Sequence, residues 1–206
     1  MKELTLEITN KCQLECPWCS SVSHPGGPDT PEDILHKKLI EHRDTVNVVR
    51  MSGGEPTLHK GLRRLLARAK DFSAHTQLLT NGQIEFTSRF IDEYIIQIVN
   101  NKACRTATQL HDKGYKVSTH VVAVQGNEIN LIKAMELMRE ELIPLRILSL
   151  QHQGRGTACT PMYSLSWTGD RGCKKTQKIT FTTQQEEITC SALKEGPCLI
   201  SGLYRT

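Results

Sequence analysis

The chain is 206 residues long, with 38% hydrophobic and 23% charged residues, the make-up of one globular domain with a real core and room for an appendage. Its net charge of +4 is mild, and basic residues are scattered or share single helix faces, as at Arg63-Arg64, Arg68 and Lys70, so no nucleic-acid footprint is marked. No leader pattern opens the chain and no apolar run approaches the about 18 residues of a membrane span, so a cytoplasmic, reducing setting is expected, in which eight cysteines point to metal ligation before disulfides.

The first predicted strand is Leu4–Thr9. Directly after it come Cys12, Cys16 and Cys19, spaced by three and two residues, with Trp18 just ahead of the third. Thiolates are the usual ligands of iron–sulfur clusters, and a tight run lets one loop wrap around a cluster. Three cysteines on a four-iron cubane leave one iron open to a small molecule. Zinc wants four ligands, usually in two spaced pairs; here the nearby fourth candidate is His24, and no CxxC pair follows. Three cysteines within eight residues cannot pair among themselves as disulfides.

Further along, apolar strand-like runs alternate with amphipathic helical patterns, which predicts βα units around a parallel sheet. The strands expected after the first are Val46–Met51, Thr76–Thr80, Ile95–Val99, Lys116–Val124 and Leu145–Leu150. Thr30 as N-cap with Pro31 at the first helical position opens a helix carrying Ile34, Leu35, Leu39 and Ile40. Leu62, Leu65, Leu66 and Ala69 form the stripe of the next. Gly114 closes a helix over Ala103–Lys113, and Ile129, Ile132, Leu137 and Met138 mark another that ends before Pro144. Six such units by about residue 156 fall short of the about 250 residues of a full eight-unit barrel, so an α/β, partial (βα)6 barrel fits the length.

Active sites of βα barrels lie at the C-terminal ends of the strands, and the sequence motifs fall there. Gly53-Gly54-Glu55-Pro56 follows strand 2, with two glycines that let backbone approach a ligand closely. The cysteine triplet together with this turn resembles the radical S-adenosylmethionine (radical SAM) superfamily, whose core is a partial (βα)6 barrel; the likeness covers residues 1–156. The resemblance implies a [4Fe–4S] cluster on Cys12, Cys16 and Cys19 whose open iron chelates SAM, and a segment Gly53, Gly54, Glu55, Pro56 that meets the SAM amino group through backbone carbonyls. It also implies reductive cleavage of SAM to a 5′-deoxyadenosyl radical, hydrogen-atom abstraction from a substrate, and an electron donor such as flavodoxin or ferredoxin. Trp18 then packs against the cluster or the adenine, or is simply core.

Thr80-Asn81-Gly82 ends strand 3; the motif recurs in the family, and Asn81 is either a ligand contact or part of an Asn-Gly turn. Asn100 and Asn101 end strand 4, where relatives carry a polar residue that reaches the SAM carboxylate or ribose. The pair departs from the Ser-Asp-Gly of many peptide-modifying members, which weighs against carrying their substrate over. His120 is a lumen residue or a satisfied core histidine. Gly154-Arg155-Gly156 resembles the barrel exit of members with a SPASM or twitch extension, and Arg155 holds a carboxylate or lies on the surface.

The tail changes character. A hairpin is expected from Lys178–Thr182 and Glu187–Cys190, set apart from the barrel, dividing the chain into a barrel at 1–156 and a twitch-like unit at 157–206. Cys173, Cys190 and Cys198 surround the hairpin and suggest a second cluster, with Cys159 or substrate as fourth ligand; the alternative is free thiols. The family's hairpin glycine is Gln185 here, and a complete SPASM domain has seven cysteines, which the tail does not supply. Cys104 falls inside a helix and is expected to be buried as an apolar residue. The substrate class that follows is a small molecule or a short peptide, with no nucleic acid and no membrane. Oxidation, epimerisation or crosslinking are the open outcomes. A glycyl-radical-type activating enzyme and a non-enzymatic iron–sulfur or zinc-binding module are the alternatives.

Overall fold

The computed structural model describes residues 2–72, 74–151 and 153–162, and the backbone of two further strands at 177–181 and 187–189. Six strands run parallel: β1 (Lys2–Thr9), β2 (Val48–Gly53), β3 (His75–Thr80), β4 (Glu93–Gln97), β5 (Val117–Ala123) and β6 (Leu145–Ser149). They lie side by side in chain order. Four α-helices connect them among the described residues: α1 (Glu32–His42), α2 (Leu62–Asp71), α3 (Asn101–Asp112) and α4 (Glu128–Glu140). None is long and apolar enough to cross a membrane.

Strand alternation divides the sheet into two faces. Leu4, Leu6 and Ile8 of β1, Val49 and Met51 of β2, Leu78, Tyr94, Ile96 and Val121 join Leu35, Leu39, Leu62, Leu65, Leu66, Ala103, Ala107 and Leu110 of the helices in one core. The other face is polar. Arg50 pairs with Glu3 at 2.9 Å, both side chains 5% exposed, and Arg50 Nη2 donates to Gln77 Oε1 at 2.7 Å. Gln77 and Ser118 in turn donate to Glu93 at 3.0 and 3.3 Å. A buried charged pair persists only when its remaining hydrogen-bonding capacity is satisfied, and here three strands satisfy it.

Several local expectations shift. Helix α1 starts at Glu32, with Pro31 in extended backbone and no side-chain cap. The Thr30 hydroxyl is committed elsewhere, donating to the Glu7 carbonyl at 3.0 Å and so tying the helix entry to β1. Strand β4 sits two residues earlier than expected, because Glu93 and Tyr94 pair with Gln77 and Leu78 of β3. No helix follows β3; residues 81–92 lead directly to β4, and Asp92 Oδ2 accepts from the Thr76 N–H at 2.7 Å to anchor the return. Strand β6 is followed by a 3-10 turn, Gly154–Ala158, rather than an α-helix among the described residues. On α4 the buried residues are Leu131 and Ala134, while Ile129, Ile132 and Met138 are exposed.

The expected hairpin is present as β7 (Gln177–Phe181) and β8 (Glu187–Thr189), antiparallel with Thr180 opposite Ile188. It does not stand apart from the barrel sheet. Strand β7 runs parallel beside β1, with Leu4 opposite Ile179, so the sheet order is β6-β5-β4-β3-β2-β1-β7-β8. The outer edge of β1 would otherwise present a row of unpaired backbone groups, and an added strand satisfies them.

Candidate functional site

The loop leaving β1 is stapled at both ends. The Thr9 hydroxyl donates to Asp29 Oδ1 at 2.6 Å, and Lys11 Nζ pairs with Asp29 Oδ2 at 2.6 Å. Partial burial pushes the Asp29 carboxyl up, but the hydrogen bonds from Lys11 and Thr9 outweigh it and hold the group below its ordinary range. Inside the loop the Asn10 N–H donates to Pro28 O at 2.8 Å, the Cys12 N–H to His24 O at 3.0 Å, and Ser23 Oγ to Asn10 Oδ1 at 2.7 Å. His24, the one zinc candidate beyond the cysteines, is exposed and held there through its backbone.

Cys12 is buried, Cys16 and Cys19 are half-buried, and all three are free thiols. A turn closes the run, with the Cys19 N–H donating to Cys16 O at 3.1 Å. Burial pushes the Cys16 thiol up to about 11, reinforced by Cys12 and Cys19 and opposed by the Arg155 charge. Burial also raises Cys12, against N–H donors from Leu14 and Asn81. Such thiols carry their protons near neutrality until a metal displaces them. Trp18 is half-buried and lies outside the hydrophobic core.

The donor set fits an iron–sulfur cluster better than a single ion. Among the described residues, the one trio of His, Cys, Asp or Glu with ligand atoms within 4.8 Å of one another is the surface group His111, Asp112 and Glu141. The three thiols are therefore spread more widely than a tetrahedral zinc would hold them, about 3.8 Å apart for bonds of about 2.3 Å. A cubane, which spaces its thiolates on separate irons, suits that wider spacing.

The Gly53-Gly54-Glu55-Pro56 turn is pressed against this loop backbone to backbone. The Gly54 N–H donates to Thr9 O and the Glu55 N–H to Lys11 O, both at 2.7 Å. A Cβ on Gly54 would lie 2.3 Å from Lys11 O, and one on Gly53, whose φ is +129°, 2.3 Å from Thr9 O. Only glycine fits either place. The Glu55 side chain, fully buried, turns inward. Its Oε1 accepts from Thr57 N at 3.1 Å, Thr57 Oγ1 at 2.6 Å and Thr80 Oγ1 at 2.7 Å, and its Oε2 accepts from Asn81 N at 2.8 Å. Pro56, buried, starts the 3-10 turn that follows.

Asn81 is buried at the end of β3, its side-chain amide 3.5 Å from Cys12 Sγ. Asn100 is the N-cap of α3, its Oδ1 accepting from the Ala103 N–H at 3.1 Å and from Gln83 Nε2 at 3.0 Å. It sits one residue's reach behind Asn81 through Gln83. His120 is buried on β5, on the face opposite the core residue Val121. Arg155, beyond β6, reaches back to the cysteine loop: Nε donates to Cys16 O and Nη2 to Ser23 O, each at 2.9 Å. Cys159 lies against the same loop, its thiol donating to Pro17 O at 3.3 Å.

The structure thus brings Cys12, Cys16, Cys19, Gly53, Gly54, Glu55, Asn81 and Arg155 to one end of the sheet, where the parallel strands terminate. Cys173, Cys190 and Cys198 lie outside the described residues. Cys104 is half-buried against the core, and burial raises its thiol. Sequence reasoning missed Lys11, Ser23, Asp29 and Gln83, whose parts are set by partners in other segments; no local spacing marks them.

An open parallel βα barrel with three thiols on its first loop and a glycine-rich turn against them defines a class. The sequence profile of the Radical SAM superfamily matches residues 6–102. The PqqA peptide cyclase of Granulibacter bethesdensis is 25% identical over 156 residues, 73% of this chain and 40% of that protein. A probable GTP 3′,8-cyclase of Methanocaldococcus jannaschii is 34% identical over 86 residues, 40% of this chain and 29% of its own length. SuiB of Streptococcus suis, solved with S-adenosylmethionine and also with its precursor peptide SuiA, shares the fold: the SAM complex gives a TM-score of 0.65 at 18% identity, over 78% of this chain and 43% of that one. The chain is similar to the radical SAM superfamily, in sequence profile over residues 6–102 and in fold over most of the described strands. The cofactors that this likeness implies are a [4Fe–4S] cluster and SAM, the latter bound in the SuiB structure. The chain spans about two fifths of the length of the curated relatives it matches over most of its own.

Proposed function

We propose that this chain is the catalytic barrel of a radical SAM enzyme that cleaves SAM reductively and removes a hydrogen atom from its substrate. One observation carries the reading: three free thiols and a glycine-only turn meet where the parallel strands end, the side on which βα barrels do chemistry. In this reading Cys12, Cys16 and Cys19 hold the cluster through three irons and leave the fourth for SAM. When bound, the cluster supplies one electron to SAM, whose cleavage yields methionine and a 5′-deoxyadenosyl radical. The residues of the chain bind and orient. Gly53 and Gly54 offer bare backbone to the SAM amino group, Glu55 holds that turn to Asn81, Pro56 stiffens its exit, Asn100 shapes the edge of the pocket from the cap of α3, and Arg155 keeps the cysteine loop in place.

A peptide is the substrate class this reading favours. The PqqA peptide cyclases match across nearly three quarters of the chain, and the fold is that of SuiB, which has been solved with a precursor peptide. The Asn100-Asn101 departure then changes the strand 4 contact without removing the class. The GTP 3′,8-cyclase match, higher in identity over 86 residues, favours a small molecule as the second reading. The proposal extends to a cytoplasmic setting, a flavodoxin or ferredoxin as electron donor, and a twitch-like unit at 157–206 in which Cys173, Cys190 and Cys198, with Cys159 or substrate as fourth ligand, hold a second cluster.

Anaerobic reconstitution with iron and sulfide, then dithionite and SAM, tests the activity: 5′-deoxyadenosine is expected from the wild type and none from the Cys12/Cys16/Cys19 triple Ala variant. Release by the triple variant overturns the assignment, and no release by a cluster-loaded wild type returns the chain to a binding module. Iron retained by the triple variant, about four per chain, belongs to the tail cluster; none at all removes that cluster.

A further inference from the structure

The orientation of the Asn81 side chain is fixed by its neighbours. Its Oδ1 accepts from the backbone N–H of Gln83 at 3.0 Å and from Gln13 Nε2 at 3.3 Å. A backbone N–H only donates, so the oxygen must face Gln83 and the NH2 group must face the other way. On that side Nδ2 lies 3.5 Å from Cys12 Sγ and also 3.5 Å from Gln13 Oε1, which shares the donor, while the Gln83 N–H fixes the amide's orientation with or without Gln13. The backbone of Asn81 is held as firmly, its N–H donating to the buried Glu55 carboxylate at 2.8 Å. A second donor, the Leu14 N–H, reaches the same sulfur at 3.4 Å.

We propose that Asn81 is a tuning residue: its amide N–H donates to the Cys12 sulfur and raises the reduction potential of the cluster held there. This rests on the reading that Cys12 is a cluster ligand. Reduction by an external one-electron donor adds negative charge that spreads onto the thiolate sulfurs, and an N–H aimed at such a sulfur stabilises the reduced form more than the oxidised one. Asn81 and Cys12 are 8% and 7% exposed, so little water screens the contact. Asn81 therefore acts on electron uptake through Cys12, and Glu55 positions it to do so.

The test is a redox titration of the reconstituted protein with dithionite, followed by EPR of the reduced cluster, in wild type, Asn81→Leu and Gln13→Leu. Leu fills the place of the amide without a donor. At one fixed potential the reduced-to-oxidised ratio is expected to fall about three- to tenfold in Asn81→Leu, tenfold being about 59 mV for one electron, and to stay within about twofold in Gln13→Leu. An unchanged ratio in Asn81→Leu, or the same fall in Gln13→Leu, overturns the proposal. Should Asn81→Leu fail to assemble a cluster, wild type labelled with 15N-asparagine decides: pulsed EPR of the reduced cluster is expected to show a 15N coupling, and its absence overturns the proposal. A wild type that takes up no iron overturns the cluster reading and this inference with it, whereas a loaded wild type with no shift and no coupling overturns this inference alone.

Discussion

Arg155 donates to the carbonyl oxygen of Cys16, 139 positions earlier in the chain, at 2.9 Å, and with its other arm to Ser23 O at the same distance. The contact closes the barrel's last exit onto its first loop. Neither partner is an anion; the guanidinium fork is used to pin two backbone carbonyls of a loop that has few regular hydrogen bonds of its own. Hydrogen bonds from a charged donor are each worth about 1.5–3 kcal/mol when well shielded, and the half-buried position of Arg155 calls for the lower end. Arg155→Ala is expected to cost about 2 kcal/mol, read as a lower urea midpoint, and to speed iron loss to a chelator. Arg155→Lys, with a point charge in place of the fork, is expected to recover less than half of either. Unchanged iron retention in Arg155→Ala would remove the arginine from the site.

Gly54 sets the spacing between the cysteine loop and the turn after β2. Because a Cβ there would sit 2.3 Å from Lys11 O and 3.0 Å from the Ser23 Cβ, Gly54→Ala must push the two segments apart. The expected cost is about 3 kcal/mol, the upper range for overpacking. Cluster loading should fall together with stability, since the displaced segment leads directly into Cys12. Equilibrium unfolding and iron content of the same preparation check the coupling. A folded Gly54→Ala protein with full iron and weakened SAM binding would instead assign the glycine to ligand approach alone.

The parts that the sequence made legible are those whose physics is local. Cys12, Cys16 and Cys19 stand out as a candidate metal site because three thiols in one short run have few other uses, and the structure keeps them on one loop as free thiols. The strands could be drawn because an apolar residue at every second position buries one face, as in Leu4, Leu6 and Ile8. What stayed hidden depends on partners far along the chain. Thr30 has the side chain of a helix cap, yet its hydroxyl serves Glu7 of β1. Asn100, expected to face the ligand, caps α3, a role that Asn fills as readily as a binding role. The hairpin was expected apart from the barrel, because nothing in Gln177–Phe181 marks the edge of β1 as its partner.

Glu93 predicts the acid limb of stability. Burial pushes its carboxyl up, but hydrogen bonds from Lys116 and Gln77, with the Lys116 charge and His75, outweigh burial and leave it below its ordinary range. A carboxylate lowered by folding stabilises the native state above its unfolded value of about 4.3, and that contribution is lost as pH falls through the lower folded value. Wild-type urea midpoints are therefore expected to decline from about pH 5 downward, and Glu93→Gln, which cannot titrate, to decline less steeply over that window. Parallel curves for the two proteins would place the acid sensitivity elsewhere.

Glu55 is the acceptor on which two strand ends converge. Four donors from Thr57, Thr80 and Asn81 point at its two oxygens, and the side chain is wholly removed from water. Every one of those contacts asks for an acceptor. Glu55→Gln keeps the shape but must turn an NH2 group toward donors, either the Asn81 N–H or the Thr57 N–H with the Thr57 and Thr80 hydroxyls. Hydroxyls can rotate and accept instead, whereas neither backbone N–H can. The Asn81 N–H makes the closer contact, 2.8 Å against 3.1 Å, so the amide oxygen is expected to stay with Asn81 and the NH2 to face the two threonines, leaving the Thr57 N–H without its acceptor. The cost is then about 1–3 kcal/mol, the penalty of poorly matched buried polar groups. Glu55→Ala leaves the Asn81 N–H without its acceptor, so it should destabilise more and also loosen the Asn81 amide from Cys12. Thermal unfolding ranks the stabilities, and the cluster potential separates the two variants: Glu55→Gln is expected to stay near wild type, while Glu55→Ala shifts toward the value of Asn81→Leu. Equal potentials in all three proteins would show that Glu55 supports the turn after β2 without positioning Asn81.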